Sequence, residues 1–285
     1  MKRQLTVIGV GFLLMFIPAI GTAGVVPWGK LVYEGEVSSQ TRENFQKAVD
    51  AVDELFTKYK IVLSDPVTVV VTTDTESYIQ ALMLHGGLSR AEAEYKAISP
   101  QTNLGASMGR KPVVLIRWIP TRQLTPQGAS YLVNNPQESF ALSHELFHQV
   151  KNQQSLVRTV NWLKEGPPEL FRFMALETAG IKSVTDSVQL AERFIRRAAK
   201  IPETQQLASY DYETWQSLAR QGFPVYHMAA IMTVRLIGDN GFEKVLFFYQ
   251  LLHNGSDPDK AFITAFGVSM PDFLDYMNDY FKKLH

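Results

Sequence analysis

Two of the six histidines in this chain of 285 residues, His144 and His148, stand four apart, and Glu145 follows the first directly. On an α-helix the two imidazoles fall about 40° apart around the axis, one turn from each other. From there both can grip one divalent cation from the same side. Glu145 points beside such a cation, where a carboxylate can take a proton from a water that the metal activates. This is the His-Glu-x-x-His spacing of zinc hydrolysis, and chance gives about 0.007 such matches in a chain of this composition. Catalytic Zn²⁺ is held by three protein ligands with one position open. The next carboxylate after His148 is Glu165, with sixteen residues between them, in Asn161-Trp162-Leu163-Lys164-Glu165-Gly166-Pro167-Pro168-Glu169. That distance allows a turn and a second, antiparallel helix to bring it back. The other histidines, at 85, 227, 253 and 285, show no second metal-ligand spacing.

The elements that must position these groups are legible in outline. Asn135 is a candidate N-cap, with Pro136 at the first helical position and Glu138 at the third, so a helix over 136–152 is expected. Leu142, Leu146 and Val150 share one face of it, with Phe147 beside them. Upstream, residues 31–37 alternate like a short strand, the β-branched run Pro66 to Val71 reads as a buried strand, and Val113 to Trp118 as another. Helices are expected at 40–60 and, with a break at Gly86-Gly87, over 75–97; Ser99 to Pro112 reads as loop. Further helices are expected at 167–179, 184–200, 225–238, 241–253, 257–265 and 270–284. Strands first and helices second imply an α+β protein, with a small N-terminal mixed-sheet lobe over 24–135 packed on a mainly helical lobe over 136–285.

His-Glu-Leu-Phe-His followed by Trp-Leu-Lys-Glu-Gly resembles the gluzincin zinc peptidases, most closely the peptidase MA-like branch. Tyr226 to Leu236, Gly241-Phe242-Glu243-Lys244, Asn254-Gly255 and Ala265 to Ser269 followed by Phe273 are similar to the helical tail of that branch. The resemblance implies a zincin-like fold, Zn²⁺ as cofactor, His144, His148 and Glu165 as ligands, and Glu145 as general base. It implies that Glu169 hydrogen-bonds a zinc-bound histidine. It also implies a Tyr or His oxyanion donor from the helical region, with Tyr226 preferred over His227. In related folds an edge strand borders the cleft and pairs with extended substrate; here that expectation falls on Val113 to Trp118, with Arg117 and Trp118 shaping a subsite. The chain departs from the pattern at Pro167-Pro168. Proline suits only the first turn of a helix, so Glu165 is expected at a helix entrance, with Glu169 as a reserve ligand. Trp162 reads as packing.

Composition bounds the rest. Lysine plus arginine and aspartate plus glutamate both number 28, which argues against nucleic acid as the main partner. There is no cysteine, which excludes disulfides, thiolate metal sites and a cysteine nucleophile. Residues 1–23 read as a signal peptide: Lys2 and Arg3, an apolar run from Gln4, then Gly21-Thr22-Ala23 as a cleavage site. The chain is thus expected to be secreted or periplasmic, with no stable membrane span after cleavage and with a peptide or protein as substrate. A catalytically silent, peptidase-like binding module of the bacterial envelope is the competing expectation. Gly24 to Lys30 has phosphate-loop spacing, but Leu31 replaces the required hydroxyl residue, and the match is read as chance.

Overall fold

The computed structural model describes residues 28–98, 105–108, 111–118, 136–155, 157, 159–238 and 241–285. The signal-like segment and Asn135 lie outside these residues. The architecture is α+β. Strand β1 (Gly29–Glu34) leads through helix α1 (Ser39–Tyr59) to β2 (Val67–Thr72). Helices α2 (Thr75–Leu84) and α3 (Arg90–Ile98) follow, then β3 (Gly105–Ser107) and β4 (Val113–Arg117). The sheet order is β1-β2-β4-β3, with β1, β2 and β4 parallel and β3 antiparallel to β4.

Both faces of this sheet are covered, which is why β2 and β4 read as continuous apolar runs. Val69, Val71, Val114 and Ile116 pack on the side of α1, which buries Phe45, Val49, Val52 and Phe56 there; Ser38 caps that helix by accepting from the Thr41 amide. Val70 and Leu115 pack on the other side against Tyr78, Ile79 and Leu82 of α2 and Ala93 and Ala97 of α3.

The remaining elements are helical: α4 (Ala141–Gln154), α5 (Asn161–Thr178), α6 (Val184–Arg197), α7 (Thr204–Ser209), α8 (Tyr212–Arg220), α9 (Val225–Ile237), α10 (Glu243–His253), α11 (Pro258–Phe266) and α12 (Met270–Leu284). One hydrophobic core runs from Trp28 and the front of the sheet through Phe147 and Phe171 to Phe248, Phe262 and Phe281.

Several sequence expectations are corrected. Pro136–Glu138 form a separate 3-10 turn, and α4 starts at Ala141 after Phe140, with no side-chain cap. Strand β3 lies inside the segment read as loop. Helices α7 and α8 were not anticipated, being too short to show a period, although Asp211 does cap α8 by accepting from the Thr214 amide at 2.8 Å.

Candidate metal centre

Leu142, Leu146 and Val150 are fully buried and anchor one face of α4 to the core. Phe147 stacks on Phe171 of α5, with ring centroids 5.0 Å apart and planes at 28°. This contact holds α4 against α5, and the next face of α4 presents its histidines to Glu165. The Nε2 atoms of His144 and His148 lie 3.2 Å apart. Oε2 of Glu165 is 3.3 Å from His148 Nε2 and 3.5 Å from His144 Nε2. Three such atoms around a tetrahedral zinc with bonds of about 2.0–2.1 Å would stand about 3.3 Å from one another. The donor set, its spacing and its burial therefore fit a metal ion, and one of the size of zinc.

Glu165 is the fifth residue of α5, and the helix continues through Pro167 and Pro168 to Thr178. The expectation that the prolines leave Glu165 at a helix entrance is thus wrong, and the reason lies in the neighbours. Pro167 lacks the N–H that would bond the Leu163 carbonyl, and the hydroxyl of Tyr249 from α10 lies 3.5 Å from that oxygen. Gly166 meets α9 without a side chain: a Cβ there would stand 2.2 Å from Thr233 Oγ1 and 2.4 Å from the Ala229 carbonyl. The Glu-Gly pair thus sets Glu165 beside a close contact between α5 and α9.

Glu169, one turn on, reaches the other nitrogen of the same ring. Its Oε2 is 3.0 Å from His144 Nδ1, and its Oε1 is 3.3 Å from Arg172 Nη1. Arg172 also extends toward the Gln137 carbonyl, tying the pair to the 3-10 turn before α4. This arrangement turns Nε2 of His144 toward Glu165 and His148. Burial opposes charge on these groups. The carboxylates of Glu165 and Glu169 nevertheless hold the His144 pKa well above the ordinary histidine value. Glu165 is held far below the usual carboxylate range by the two imidazoles, again against burial, and Glu169 is lowered to about 2 by Arg172 and His144. A pocket that attracts a proton this strongly attracts a divalent cation for the same reason.

Glu145 points toward the sheet. Its Oε2 accepts the Ser107 amide of β3 at 2.8 Å. Gln149, fully buried on α4, places its side-chain nitrogen 2.7 Å from Ser107 Oγ, 3.1 Å from the Lys111 carbonyl and 3.3 Å from the Val113 carbonyl. The β3–β4 hairpin is thereby fastened over Glu145. Gly105 allows the approach, since a Cβ there would stand 2.5 Å from Glu145 Cγ. Strand β3, not β4, therefore borders the site. Strand β4 is paired on both sides. Arg117 lies on the far face, where it donates to the Ala97 carbonyl and sits over the Tyr78 ring, and Trp118 is buried edge-on to Phe45. Neither shapes a subsite.

Tyr226 on α9 closes the site opposite. Its ring centroid is 6.5 Å from that of His144, Trp215 of α8 packs edge-on to it, and its hydroxyl oxygen accepts from Gln216 Nε2 at 2.7 Å. The Gln216 contact leaves the phenolic proton free to be donated elsewhere. Burial, then the charge of Glu165, raises the Tyr226 pKa strongly, so the phenol keeps that proton. Tyr212 of α8 stands beside it, pushed up to about 12 by burial and Glu165. His227, the other oxyanion candidate, faces elsewhere: it packs on Phe194 of α6, 4.7 Å between centroids, and feels Glu169 and Arg172. Trp162 is fully buried against Phe273.

Sequence reasoning missed Ser107, Gln149, Tyr212, Gln216 and Arg172. Only Tyr212 and Gln216 carried a signal, through the Asp211 cap that starts their helix.

No known protein family matches the chain, and no curated protein matches it in sequence.

Proposed function

We propose that this protein is a zinc-dependent peptidase of the gluzincin type, exported to the periplasm or secreted, that hydrolyses peptide bonds. The observation that carries the reading is the convergence of His144 Nε2, His148 Nε2 and Glu165 Oε2 at mutual distances of 3.2–3.5 Å, with Glu145 next to them on the same helix. A zinc ion held there supplies a positive charge that lowers the pKa of water toward about 7 and polarises a carbonyl group.

The chain's own groups do the rest. Glu145 keeps one carboxylate oxygen on the Ser107 amide and offers the other, Oε1, to accept the proton of the attacking water. The same carboxyl group then delivers that proton to the leaving amine. Tyr226 donates its phenolic hydrogen to the oxyanion that develops on the substrate carbonyl. Glu169 holds the His144 ring, and Arg172 holds Glu169. The outer edge of β3, which faces away from β4, gives an extended peptide a strand to lie along. Residues 1–23, as a cleaved signal peptide, would deliver the chain outside the cytoplasm.

The test is the metal content of the purified protein together with hydrolysis of a mixed peptide library, for wild type and for Glu145→Gln. About one zinc per chain is expected in both, with cleavage by the wild type alone. A chain that binds zinc and cleaves nothing would instead be the silent binding module. Metal-free protein from zinc-replete medium would overturn the peptidase reading and leave the binding module.

A further inference from the structure

Lys164 has no part in the chemistry above, yet its side chain meets one of the metal ligands. Its Nζ lies 3.4 Å from Oε1 of Glu165, the residue that follows it on α5. The two oxygens of that carboxylate therefore have different neighbours. Oε2 stands 3.3 Å and 3.5 Å from the Nε2 atoms of His148 and His144, whereas Oε1 faces the ammonium group. Helix geometry alone does not supply this pairing. Consecutive residues project about 100° apart around the axis, so their side chains do not face each other. The lysine must bend back to reach its neighbour, and at 34% side-chain exposure it has water as an alternative. Tyr212 of α8 holds it in place: the ammonium sits 4.4 Å from the centre of that ring, a cation–π contact. A ring from one helix and a carboxylate from another thus clasp a single cation.

The consequence falls on Glu165, whose side chain is only 5% exposed and is therefore poorly screened by water. A carboxylate can give a metal one oxygen or both. With two histidines, one oxygen makes three protein donors and leaves a tetrahedral ion one open position; a second oxygen would take that position. The cation on Oε1 opposes the second mode. Turning Oε1 inward would break the ion pair, or draw the ammonium toward a divalent cation of like sign.

We propose that Lys164 is a positioning residue that restricts Glu165 to one-oxygen ligation and so keeps the fourth position of the metal open for water and substrate. This rests on the reading of the site as a hydrolytic metal centre. The test loads the full chain with Co²⁺ in place of zinc and reads the coordination number from its visible absorption, which is intense with four ligands and weak with five or six. Wild type is expected to give the intense band. Lys164→Met should still bind one Co²⁺ but with a weakened band, and Lys164→Gln should do the same if the Met variant folds poorly. Lys164→Arg, which keeps a cation within reach of Glu165 and Tyr212, should keep the wild-type spectrum. Tyr212→Leu should weaken the band in the same direction, whereas Tyr212→Phe, which retains a ring, should not. Peptide cleavage by the zinc form should fall by about 10–100-fold in Lys164→Met and recover in Lys164→Arg. An unchanged Co²⁺ spectrum in Lys164→Met and Lys164→Gln overturns the assignment even if cleavage falls, since the lysine would then act on substrate and not on Glu165. Failure of the wild type to bind Co²⁺ overturns it together with the peptidase reading. If the spectra move as expected in a chain that cleaves nothing, Lys164 keeps its role and the peptidase reading alone falls.

Discussion

Val69 and Val71 of β2 face α1 and the two helices of the metal site, whereas Val70 between them faces α2 and α3. Both sides are fully dry at these positions, but their contents differ. Behind the sheet, the buried cluster consists of Val70, Tyr78, Ile79, Ala81, Leu82, Ala93, Ala97 and Leu115. In front, the large core also holds Glu145, His148, Lys151, Glu165 and Glu169, every one of them on α4 or α5. Burying a single charge costs several kcal/mol unless it is paired or bound to a metal. The rear face contributes stability by excluding water from hydrocarbon. The front face spends part of that stability to hold charges close together, a cost that makes sense for a site and not for a scaffold.

Removing metal is the strongest way to test that contrast. A ligand present at about a thousand times its dissociation constant stabilises the folded state by about 4 kcal/mol. For a chain of this size, chelation should then lower Tm by on the order of 10 °C. Hydrogen exchange should accelerate in α4 and α5, where the uncompensated carboxylates lie, and stay unchanged in α2 and α3. Equal acceleration on both sides of the sheet would show that the metal supports the fold as a whole and that the two faces are not distinct.

The complementary change is Leu82→Ala behind the sheet. Leu82 is 1% exposed, and truncating a buried leucine costs about 2–5 kcal/mol. Urea denaturation should show that loss, while a zinc titration of the still-folded variant should give an unaltered stoichiometry and affinity. A drop in zinc affinity would mean that packing behind β2 sets the geometry in front of it.

The difference between the faces was only partly legible in the sequence. The His144-Glu145-His148 spacing, the α+β order and the apolar stripe Leu142, Leu146 and Val150 all depend on periodicity within a few turns of chain, and that part was readable. Glu165 was reachable because it is the next carboxylate, yet Pro167 and Pro168 argued against its true place inside a helix. The hydroxyl set against the freed Leu163 carbonyl comes from Tyr249, 86 residues away, and no local rule can supply it. The edge strand was missed for a related reason. Gly105-Ala106-Ser107 has almost no strand propensity and is held by β4, Gln149 and Glu145.

The smallest expected effect concerns a carboxyl group on the front side that belongs to no network. Asp53 of α1 lies beside the Trp28 indole, and the neighbouring charge acting on it is that of Asp50, of the same sign. Burial, the larger cause, and that repulsion raise its pKa to about 6 in the folded protein, against about 3.9 in an unfolded chain. The folded state therefore holds this proton more tightly. The contribution to stability is complete below about pH 4 and is lost as pH rises through 6. Asp53→Asn should be close to neutral at pH 4 and should raise the unfolding free energy above pH 7, by less than about 1 kcal/mol because the carboxyl group keeps partial contact with water. Melting curves from pH 4 to 8 would show the increment appearing between the two pKa values. An increment of the same size at every pH would mean that the gain comes from packing, and that an isolated front-side charge costs no more than one in the metal-site network.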